Sequence, residues 1–465
     1  MDATSVARDL WSGCGGAAED LDRLTVVERD GVLPSVFRVS QAATGSVAAA
    51  TVAVAGLWRD RGGPDTGARV DMAEVGRAFR SERLVERTGA PLPPVWDPVA
   101  GTYRTRDGWI RLHTNLTAHR TAALTVLRVP AEADAVAEMV AGRSAVALER
   151  AVIEAGGAAA ALRTRDAWQG GAQAAALAAV PLVDIVPLGS AAPDRAVAPH
   201  EPLAGVRVLD LTRVIAGPVC GRFLAAYGAE VLRVDGPTAE DVPALVADTT
   251  VGKRSTVLDL REAAGQARFA RLLSEADVVL LGYRPGAVER LGYGAAELAR
   301  RRPGIVVGSL SAYGGVGPWG RRRGFDSLVQ LATGIADEGR RHRGSDVPVP
   351  LPAQVLDHAS GYLLALGVLA ALRRRFSDGG SWSVGVSLAR TAGWLDSLGR
   401  TSVGPERETP GDWCEFTGPW GRTRHVPCPG ELDGMRPQWT SPPRPLGYDP
   451  AAWRDARACG GRSAL

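Results

Sequence analysis

One aspartate, Asp357, stands where a carboxylate could act as a nucleophile or as a helix cap. It follows the extended apolar segment Pro350–Leu356 and precedes the strongly apolar helical segment Gly361–Leu372. Free backbone N–H groups and the helix dipole favour an anion near a helix N-terminus. Asp is also among the preferred N-cap residues, which is the commoner role for an acid there. Position alone leaves both interpretations open.

The sequence lacks the other motifs that would indicate a known reaction centre. It has no GxGxxG at the first strand–helix turn, no GxxxxGK[ST] and no GxSxG, so it gives no support for a dinucleotide site, a P-loop or a nucleophile elbow. The histidines show no metal-ligand spacing, and no metal is expected. They are His113, His119, His200, His342, His358 and His425.

The middle of the chain alternates strand and helix patterns. Strands separated by helices of about 10–15 residues predict βαβ units and a parallel sheet, hence an α/β protein. Ligands of such sheets bind beyond the carboxyl ends of the strands, which directs the search for a site to the loops there. The predicted strands are Val206–Leu211, Glu230–Val234, Ser255–Leu260, Asp277–Leu281 and Gly304–Leu310.

Composition divides the 465 residues into four regions. Residues 1–186 are Ala-rich and largely helical, and residues 187–202 contain several prolines and are predicted to be a linker. Residues 203–400 carry the strand–helix alternation. Residues 401–465 are rich in Pro, Trp, Gly and Arg with little periodicity, which predicts an extended tail wrapped on the body or on a partner chain.

Charge and cysteine usage favour a cytoplasmic protein that binds neither nucleic acid nor membrane. The net charge is only +3, and no basic stretch is interleaved with aromatic residues. No secretory signal is visible, and the apolar stretch Val47–Leu57 is too short to span a bilayer. The cysteines form no CxxC and are odd in number, which is typical of a reducing compartment. They are Cys14, Cys220, Cys414, Cys428 and Cys459.

A series of sequence blocks between Pro202 and Gly361 resembles the family III CoA-transferases (CaiB/BaiF type), which include formyl-CoA and carnitine-CoA transferases. The first block reads PLAGVRVLDLTRVIAGP, and five more follow in the family's order. They are Gly228–Asp235, Gly252–Ser255 with Leu258–Leu260, Tyr283–Gly286 with Glu289–Gly292, Ser309–Gly317 with Gly324–Asp326, and Leu356-Asp357 with Gly361.

The resemblance implies a function for Asp357. In this family the aspartate before the helix is the nucleophile, and it forms an anhydride and then an aspartyl-CoA thioester. The expected substrates are an acyl-CoA thioester and a small carboxylic acid, with coenzyme A as the group transferred. The expected fold is a Rossmann-like CoA-binding domain with a smaller α+β domain, and the expected assembly is a homodimer.

The resemblance also predicts which residues bind CoA. Arginine suits phosphate through paired hydrogen bonds, and tyrosine can stack on adenine. Each arginine could equally be a solvated surface charge. The positions that match the family's CoA-binding loops are Arg213, Val214, Ala216, Tyr283, Arg284, Arg290 and Arg323.

The order of segments departs from that family. The region before Pro202 resembles the family's second half, including a strand pair around Gly101–Ile110 that opens the small domain. In this copy the catalytic position falls on Gln41 or Ala42, and no Asp is available. We therefore expect a permuted or fused arrangement in which the N-terminal region lacks a nucleophile and supplies the small domain.

Two further departures bear on function. Ile215 occupies a position that is polar in some formyl-CoA transferases, which disfavours formyl or oxalyl substrates. Phe325 replaces the histidine of related acyl-CoA racemases, so proton exchange at the α-carbon is disfavoured. An acyl-CoA racemase or isomerase and a non-catalytic acyl-CoA-binding protein remain as alternatives to a transferase.

Overall fold

The computed structural model describes residues 1–89, 91–194, 199–407 and 409–454. The helices of this part are α1 Ala3–Gly13, α2 Val39–Asp60, α3 Met72–Ala78, α4 Ser81–Leu84, α5 Thr117–Leu127, α6 Ala133–Ala141, α7 Ala145–Glu154, α8 Arg165–Gln169, α9 Ala172–Ala178, α10 Ala216–Ala226, α11 Pro243–Thr249, α12 Ala263–Ser274, α13 Ala295–Arg301, α14 Asp326–Ala332, α15 Ile335–Arg343, α16 Val355–Asp378 and α17 Leu388–Ser397.

The strands of the same residues are β1 Leu24–Val27, β2 Ala68–Asp71, β3 Glu86–Arg87, β4 Gly101–Thr105, β5 Gly108–Leu112, β6 Ala159–Ala161, β7 Asp184–Gly189, β8 Arg207–Leu211, β9 Glu230–Asp235, β10 Arg254–Val257, β11 Val278–Leu281, β12 Val306–Ser311, β13 Ser381–Ser387, β14 Cys414–Gly418, β15 Gly421–His425 and β16 Glu431–Leu432. The five strands predicted between residues 206 and 310 are confirmed as β8 to β12.

The main sheet has the order β10-β9-β8-β11-β12-β13-β7 among the described residues. Strands β8 to β13 run parallel, and β7 pairs with β13 in the antiparallel sense. The chain order reverses between β8 and β11, as in a Rossmann-like sheet, and ligands bind at such a switch point. The predicted α/β class with a parallel sheet is confirmed.

Apolar residues alternate between the two faces of this sheet because successive side chains of a strand point to opposite sides. Val278 and Leu280 belong to the core that includes α10 and α16, while Val279 and Leu281 pack with α12 and α13. Both faces are therefore covered, which explains why the strands are continuous apolar runs.

Two long helices, α2 and α16, pack against each other at the centre of the molecule. By length and composition either could cross a membrane, but 83% of the apolar window of α2 and 100% of that of α16 are buried inside the protein. Burial on every side explains their high Ala and Leu content, since an all-round apolar helix needs neighbours on all faces.

The N-terminal region repeats an element order of the main domain. The unit β1–α2–β2–α3 has the parallel strand pair and long helix of the unit β12–α16–β13–α17. The N-cap backbones of the two long helices also match, with φ −75° and ψ 56° at Arg38 and φ −76° and ψ 64° at Gln354. In this register Gln41 occupies the position of Asp357, as the third residue of its helix.

A smaller α+β unit lies between these two repeats in the sequence. Its antiparallel sheet has the order β4-β5-β6 and shares a core with α5, α6 and α7. The strand pair predicted around residues 101–110 is confirmed as the β4–β5 hairpin. This unit brings the end of β5 towards the carboxyl edge of the main sheet.

Two predicted boundaries are corrected by the structure. The linker predicted at residues 187–202 begins inside β7, which extends the main sheet. Pro187 favoured a linker because proline is rare inside strands. It is tolerated here because β7 is an edge strand of the sheet. Within this stretch residues 195–198 lie outside the described residues.

The tail predicted at residues 401–465 is not uniformly extended. Strands β14 and β15 form a hairpin that pairs with β3 of the N-terminal region. The remainder, as far as it is described, lies on the body: Tyr227 donates a hydrogen bond to the carbonyl of Gly430 (2.9 Å), and Trp453 donates to that of Leu272 (3.0 Å). Cys459 and the rest of residues 455–465 lie outside the described residues.

Candidate active site

Asp357 is the third residue of α16 and is buried, with 7% of its surface exposed. The helix cap is Gln354 and not Asp357, so the capping interpretation of Asp357 is wrong. Its backbone N–H donates to Oδ2 of Asp326 at 3.0 Å. The carboxylate therefore remains in the first helical turn, where the dipole still favours an anion, without the task of closing the helix.

Asp326 opens α14 and holds the start of α16 in place. It accepts hydrogen bonds from the N–H of Asp357 and from the side-chain amide of Gln330, and the side-chain Oε1 of Gln330 accepts from the N–H of Leu351 at 2.8 Å. Burial raises the pKa of Asp326 to about 6, against the opposing effect of these hydrogen bonds. The backbone N–H of Asp357 thus already donates to Asp326.

The pKa of Asp357 is raised well above its ordinary value. Burial is the largest cause, and the neighbouring charges of Asp326 and Glu82 add to it. A carboxyl group whose pKa is shifted by burial and charged neighbours in a cleft is a candidate functional group.

Glu82 reaches this cluster from α4 of the N-terminal region. Its Oε2 lies 3.1 Å from Nε2 of His358, the residue after Asp357, and both side chains are buried. The ring of His358 stacks on Phe79 with centroids 5.2 Å apart. Nothing in the sequence Ser81-Glu82-Arg83 distinguishes Glu82 from a surface charge, so sequence reasoning missed it.

A groove at the carboxyl edge of the main sheet collects six of the seven residues predicted to bind CoA. The lining includes Arg213, Val214, Ala216, Tyr283, Arg284 and Arg323, and it reaches Asp357. Arg290 does not line this groove; it is exposed, on the 3-10 turn Glu289–Leu291. The structure thus brings the predicted nucleophile and most of the predicted binding residues together.

The groove carries a concentrated positive charge. Burial lowers the pKa of Arg323, and the nearby charges of Arg284 and Arg213 lower it further. The pKa of His119 is lowered to about 4; burial is the largest cause, and the charges of the same three arginines add to it. Guanidinium groups this close repel one another, so an anionic ligand that neutralises them is favoured. Arg213 also lies over the ring of Tyr283, 5.5 Å from its centroid.

The turn after β8 is strained where it enters the groove. Val214 has a φ of 70°, in the left-handed region that β-branched residues rarely adopt. Its N–H donates to Asp241 (3.3 Å), which Arg233 binds at 2.8 Å. Such strain costs on the order of 1–3 kcal/mol and persists where surrounding contacts fix the backbone, often at functional sites.

On the other side of Asp357 lies a chamber of about 630 Å³. Its wall is mostly apolar, and the N-terminal region contributes Glu82, Arg111 and His113. Val214, Ile215, Phe325 and Asp357 line both the groove and the chamber. Asp357 therefore stands between a basic groove and an apolar chamber, where a thioester that joins a polyanion to an acyl group would place its carbonyl.

His113 stacks directly on Phe325, with ring centroids 3.6 Å apart and planes 3° from parallel. The chamber is thus not without an imidazole, although Phe325 itself carries none. Burial and the charge of Arg111 lower the pKa of His113 to about 3, so it is neutral near pH 7 and a weak base. The stacking of His113 on Phe325 favours a role in shaping the chamber wall over a role as a proton-abstracting base.

Comparison with known proteins identifies the scaffold. Residues 203–405 match the family model described as CoA-transferase family III. The chain is 38% identical over 194 residues to the probable fatty acyl-CoA transferase Rv3272 of Mycobacterium tuberculosis, covering 39% of this chain and 49% of that protein. It is 30% identical over 347 residues to an acyl-CoA transferase of Gibberella moniliformis, covering 66% and 60%.

A solved structure is also similar over part of the chain. The orthorhombic crystal form of Rv3272 from M. tuberculosis shares 38% identity, covers 43% of this chain and 57% of that one, and gives a TM-score of 0.40. The chain spans about half the length of the curated relatives it matches.

The structure thus combines a Rossmann-like α/β sheet with a buried aspartate beside a basic groove. The match to the model of CoA-transferase family III extends over residues 203–405, less than half of the chain. No three His, Cys, Asp or Glu side chains of the described residues gather in a way that could hold a metal ion.

Proposed function

We propose that this protein transfers CoA from an acyl-CoA thioester to a carboxylic acid, with Asp357 as the nucleophile. The observation that carries the proposal is the position of Asp357 on the wall shared by the basic groove and the apolar chamber. The names of relatives as acyl-CoA transferases support the same reaction class.

The proposed reaction balances without an external acid or base. A carboxylate oxygen of Asp357 attacks the thioester carbon, the C–S bond breaks, and CoA leaves as a thiolate. The thiolate attacks the Asp357 carbonyl of the resulting anhydride, which releases the donor acid and leaves an aspartyl-CoA thioester. The acceptor carboxylate then attacks the carbonyl of the aspartyl-CoA thioester, which releases CoA as a thiolate and forms a second anhydride. The thiolate attacks the acceptor carbonyl of this anhydride, which gives the new acyl-CoA and restores the Asp357 carboxylate.

The groove and the chamber divide the substrate between them in this proposal. The phosphates of CoA lie against Arg213, Arg284 and Arg323, because guanidinium groups pair with phosphate oxygens. The acyl group occupies the chamber beside Asp326. The N-terminal region completes the chamber within the same chain, since Glu82, Arg111 and His113 all line it.

The decisive experiment is mass spectrometry of the protein after incubation with an acyl-CoA. We expect a CoA adduct on Asp357 that hydroxylamine removes and that borohydride reduces. Asp357→Ala should lose the adduct and lower turnover by roughly 1000-fold or more. The control Asp346→Asn, an exposed carboxylate outside both cavities, should keep both. Full transferase activity in Asp357→Ala would overturn the proposed mechanism.

The two alternative functions make different predictions. A racemase would exchange the α-proton of an acyl-CoA with solvent deuterium in the absence of an acceptor acid, which the low pKa of His113 disfavours. A non-catalytic binding protein would bind acyl-CoA in the groove but exchange no CoA across a panel of donors and acids. Exchange between any donor and acid favours the transferase.

We further propose a homodimer in the cytoplasm. The family resemblance supports the dimer, and the absence of disulfides among Cys14, Cys220, Cys414 and Cys428 fits a reducing compartment. Light scattering of the purified chain should give the mass of two copies, and a monomer at all concentrations would contradict the dimer. Fractionation of cells that express the chain should find it in the cytoplasm.

A further inference from the structure

We propose that Arg111 makes this site selective for acyl groups that carry a second carboxylate, such as the monothioester of a dicarboxylic acid. The inference rests on the proposed function and names the substrate class of the same chamber. It is carried by an arginine side chain that lines the acyl chamber and has no carboxylate partner among the described residues.

Arg111 belongs to β5 and is held in position from two sides. Its Nη1 donates to Oγ1 of Thr102 at 3.1 Å, and its guanidinium lies over Trp96, 4.7 Å from the ring centroid. The Nε atom is buried and finds no hydrogen-bond partner among the described residues. The side chain is therefore pre-organised, yet much of its donor capacity is unused.

Burial of this guanidinium needs a compensating charge. Burial lowers the pKa of Arg111, and the negative charge of Asp326 raises it in part. Arg111 and Asp326 form no ion pair among the described residues. Arg83, the other arginine of the chamber wall, is exposed and already donates to the carbonyl of Pro352 (3.1 Å). A cation held in a mostly apolar wall is stabilised by an anion that arrives with the ligand.

The position of Arg111 indicates which end of the ligand it would meet. Arg111 lines the chamber from β5 and Asp357 lines it from α16, so the two side chains belong to different elements of the same wall. A carboxylate paired with Arg111 would be at the distal end of an acyl chain whose thioester carbon is at Asp357.

The remaining wall would surround the chain between the two carboxyl groups. Apolar side chains from several elements line it, which suits methylene groups better than further charges. They include Val95, Leu245, Leu331, Leu351 and Pro350. Glu82, Asp326 and Asp357 are its acidic members, and the raised pKa values of the last two reduce their repulsion of a second carboxylate.

The test compares thioesters of equal chain length that differ only in the distal group: glutaryl-CoA with valeryl-CoA, and succinyl-CoA with butyryl-CoA. We expect the unmodified protein to have the higher kcat/KM on the dicarboxylic member of each pair. Arg111→Met should raise the KM for the dicarboxylic member, relative to the KM for its monocarboxylic partner, by roughly tenfold or more. Arg111→Lys should recover part of the preference.

A matched control lies on the same hairpin. Arg104 of β4 stacks on Trp109 at 5.3 Å, as Arg111 does on Trp96, but it is exposed and lines neither cavity. Arg104→Met should leave the preference unchanged.

Two results would overturn the inference. The inference is refuted if kcat/KM is equal or higher for the monocarboxylic thioesters and Arg111→Met does not alter the ratio of the two kcat/KM values. The transferase function would still stand. Absence of both turnover and Asp357 labelling with every thioester would instead refute the proposed function, and the substrate class with it. Binding to Asp357→Asn, measured by calorimetry, separates a loss of affinity from a loss of chemistry.

Discussion

Asp357 and Asp326 carry two buried carboxyl groups at the start of α16, where the backbone N–H of Asp357 donates to the carboxylate of Asp326. Burial and the charges of Asp326 and Glu82 raise the pKa of Asp357, so part of it is protonated where an ordinary aspartate is fully ionised. Only the carboxylate can attack a thioester. The first transfer should therefore become faster as the pH rises through the pKa of Asp357.

The same shift has a consequence for stability with a definite sign. Because the pKa of Asp326 is raised from 3.8 to about 6, the folded protein retains a proton that the unfolded chain releases in that interval. Stability from this group is thus lost as the pH rises from about 4 to 6, and the cost persists above that window.

We predict that Asp326→Asn moves the acid limb of the pH–rate profile to lower pH. Removal of one negative neighbour should lower the pKa of Asp357, while an amide oxygen can still accept from its N–H. The measurement is kcat/KM for an acyl-CoA from about pH 5 to 8, with Asp346→Asn as the exposed control. An unchanged limb would show that Asp326 does not set the charge state of Asp357.

At the scale of elements, the close contact between α16 and α10 positions the nucleophile. Gly361 lies one turn after Asp357, and a Cβ there would lie 2.6 Å from the carbonyl oxygen of Ala216 and 2.7 Å from the Val219 side chain. Gly45 has the equivalent place in α2, where a Cβ would meet Val6 of α1 at 2.3 Å. Each long helix thus needs glycine where another helix crosses its first turns.

We predict that Gly361→Ala destabilises the protein by about 1–3 kcal/mol, because the added methyl group meets backbone that cannot move away. It should also lower activity, since α10 begins at the strained turn of the groove. Thermal denaturation and turnover are the two readouts. Gly393→Ala in α17, where only the end of Arg390 is near at 3.9 Å, is the control and should not destabilise. Equal midpoints for the two variants would contradict the proposed contact.

The sequence was informative about elements and much less so about contacts distant in the chain. Apolar runs such as Asp277–Leu281 mark strands because both faces of the sheet are buried, and the block at Gly324–Asp326 already contained Asp326. Glu82, Arg111 and His113 carry no local signal, because their place beside Asp357 depends on how the N-terminal region folds over the sheet. Likewise β7 and the β14–β15 hairpin pair with strands far away in sequence.

At the scale of the whole molecule, the C-terminal segment connects the two halves. Trp439 is buried and donates a hydrogen bond to the carbonyl of Arg222 at 2.8 Å. The guanidinium of Arg222 binds Asp248 (2.6 Å) and Ser81 (2.9 Å), and Ser81 precedes Glu82. The tail thereby supports the same arginine that fixes the N-terminal region beside the chamber.

We predict that Trp439→Ala lowers the free energy of unfolding by about 3–5 kcal/mol, the usual cost of removing a buried tryptophan. The midpoint of thermal unfolding should decrease by several degrees. Tyr448→Ala, an exposed aromatic of the same segment, should change it little. A midpoint unaffected by Trp439→Ala would show that the tail does not contribute to the stability of the fold.

The edge strand β7 also determines how the sheet meets its surroundings. It comes from outside residues 203–405, so a fragment cut to those limits would leave the hydrogen-bonding groups of β13 open along that edge. Open edges invite pairing between copies and aggregation. Here β7 covers this edge, and Pro187 removes one donor from the outer strand itself, so the N-terminal region shields the sheet from pairing between copies as well as lining the chamber.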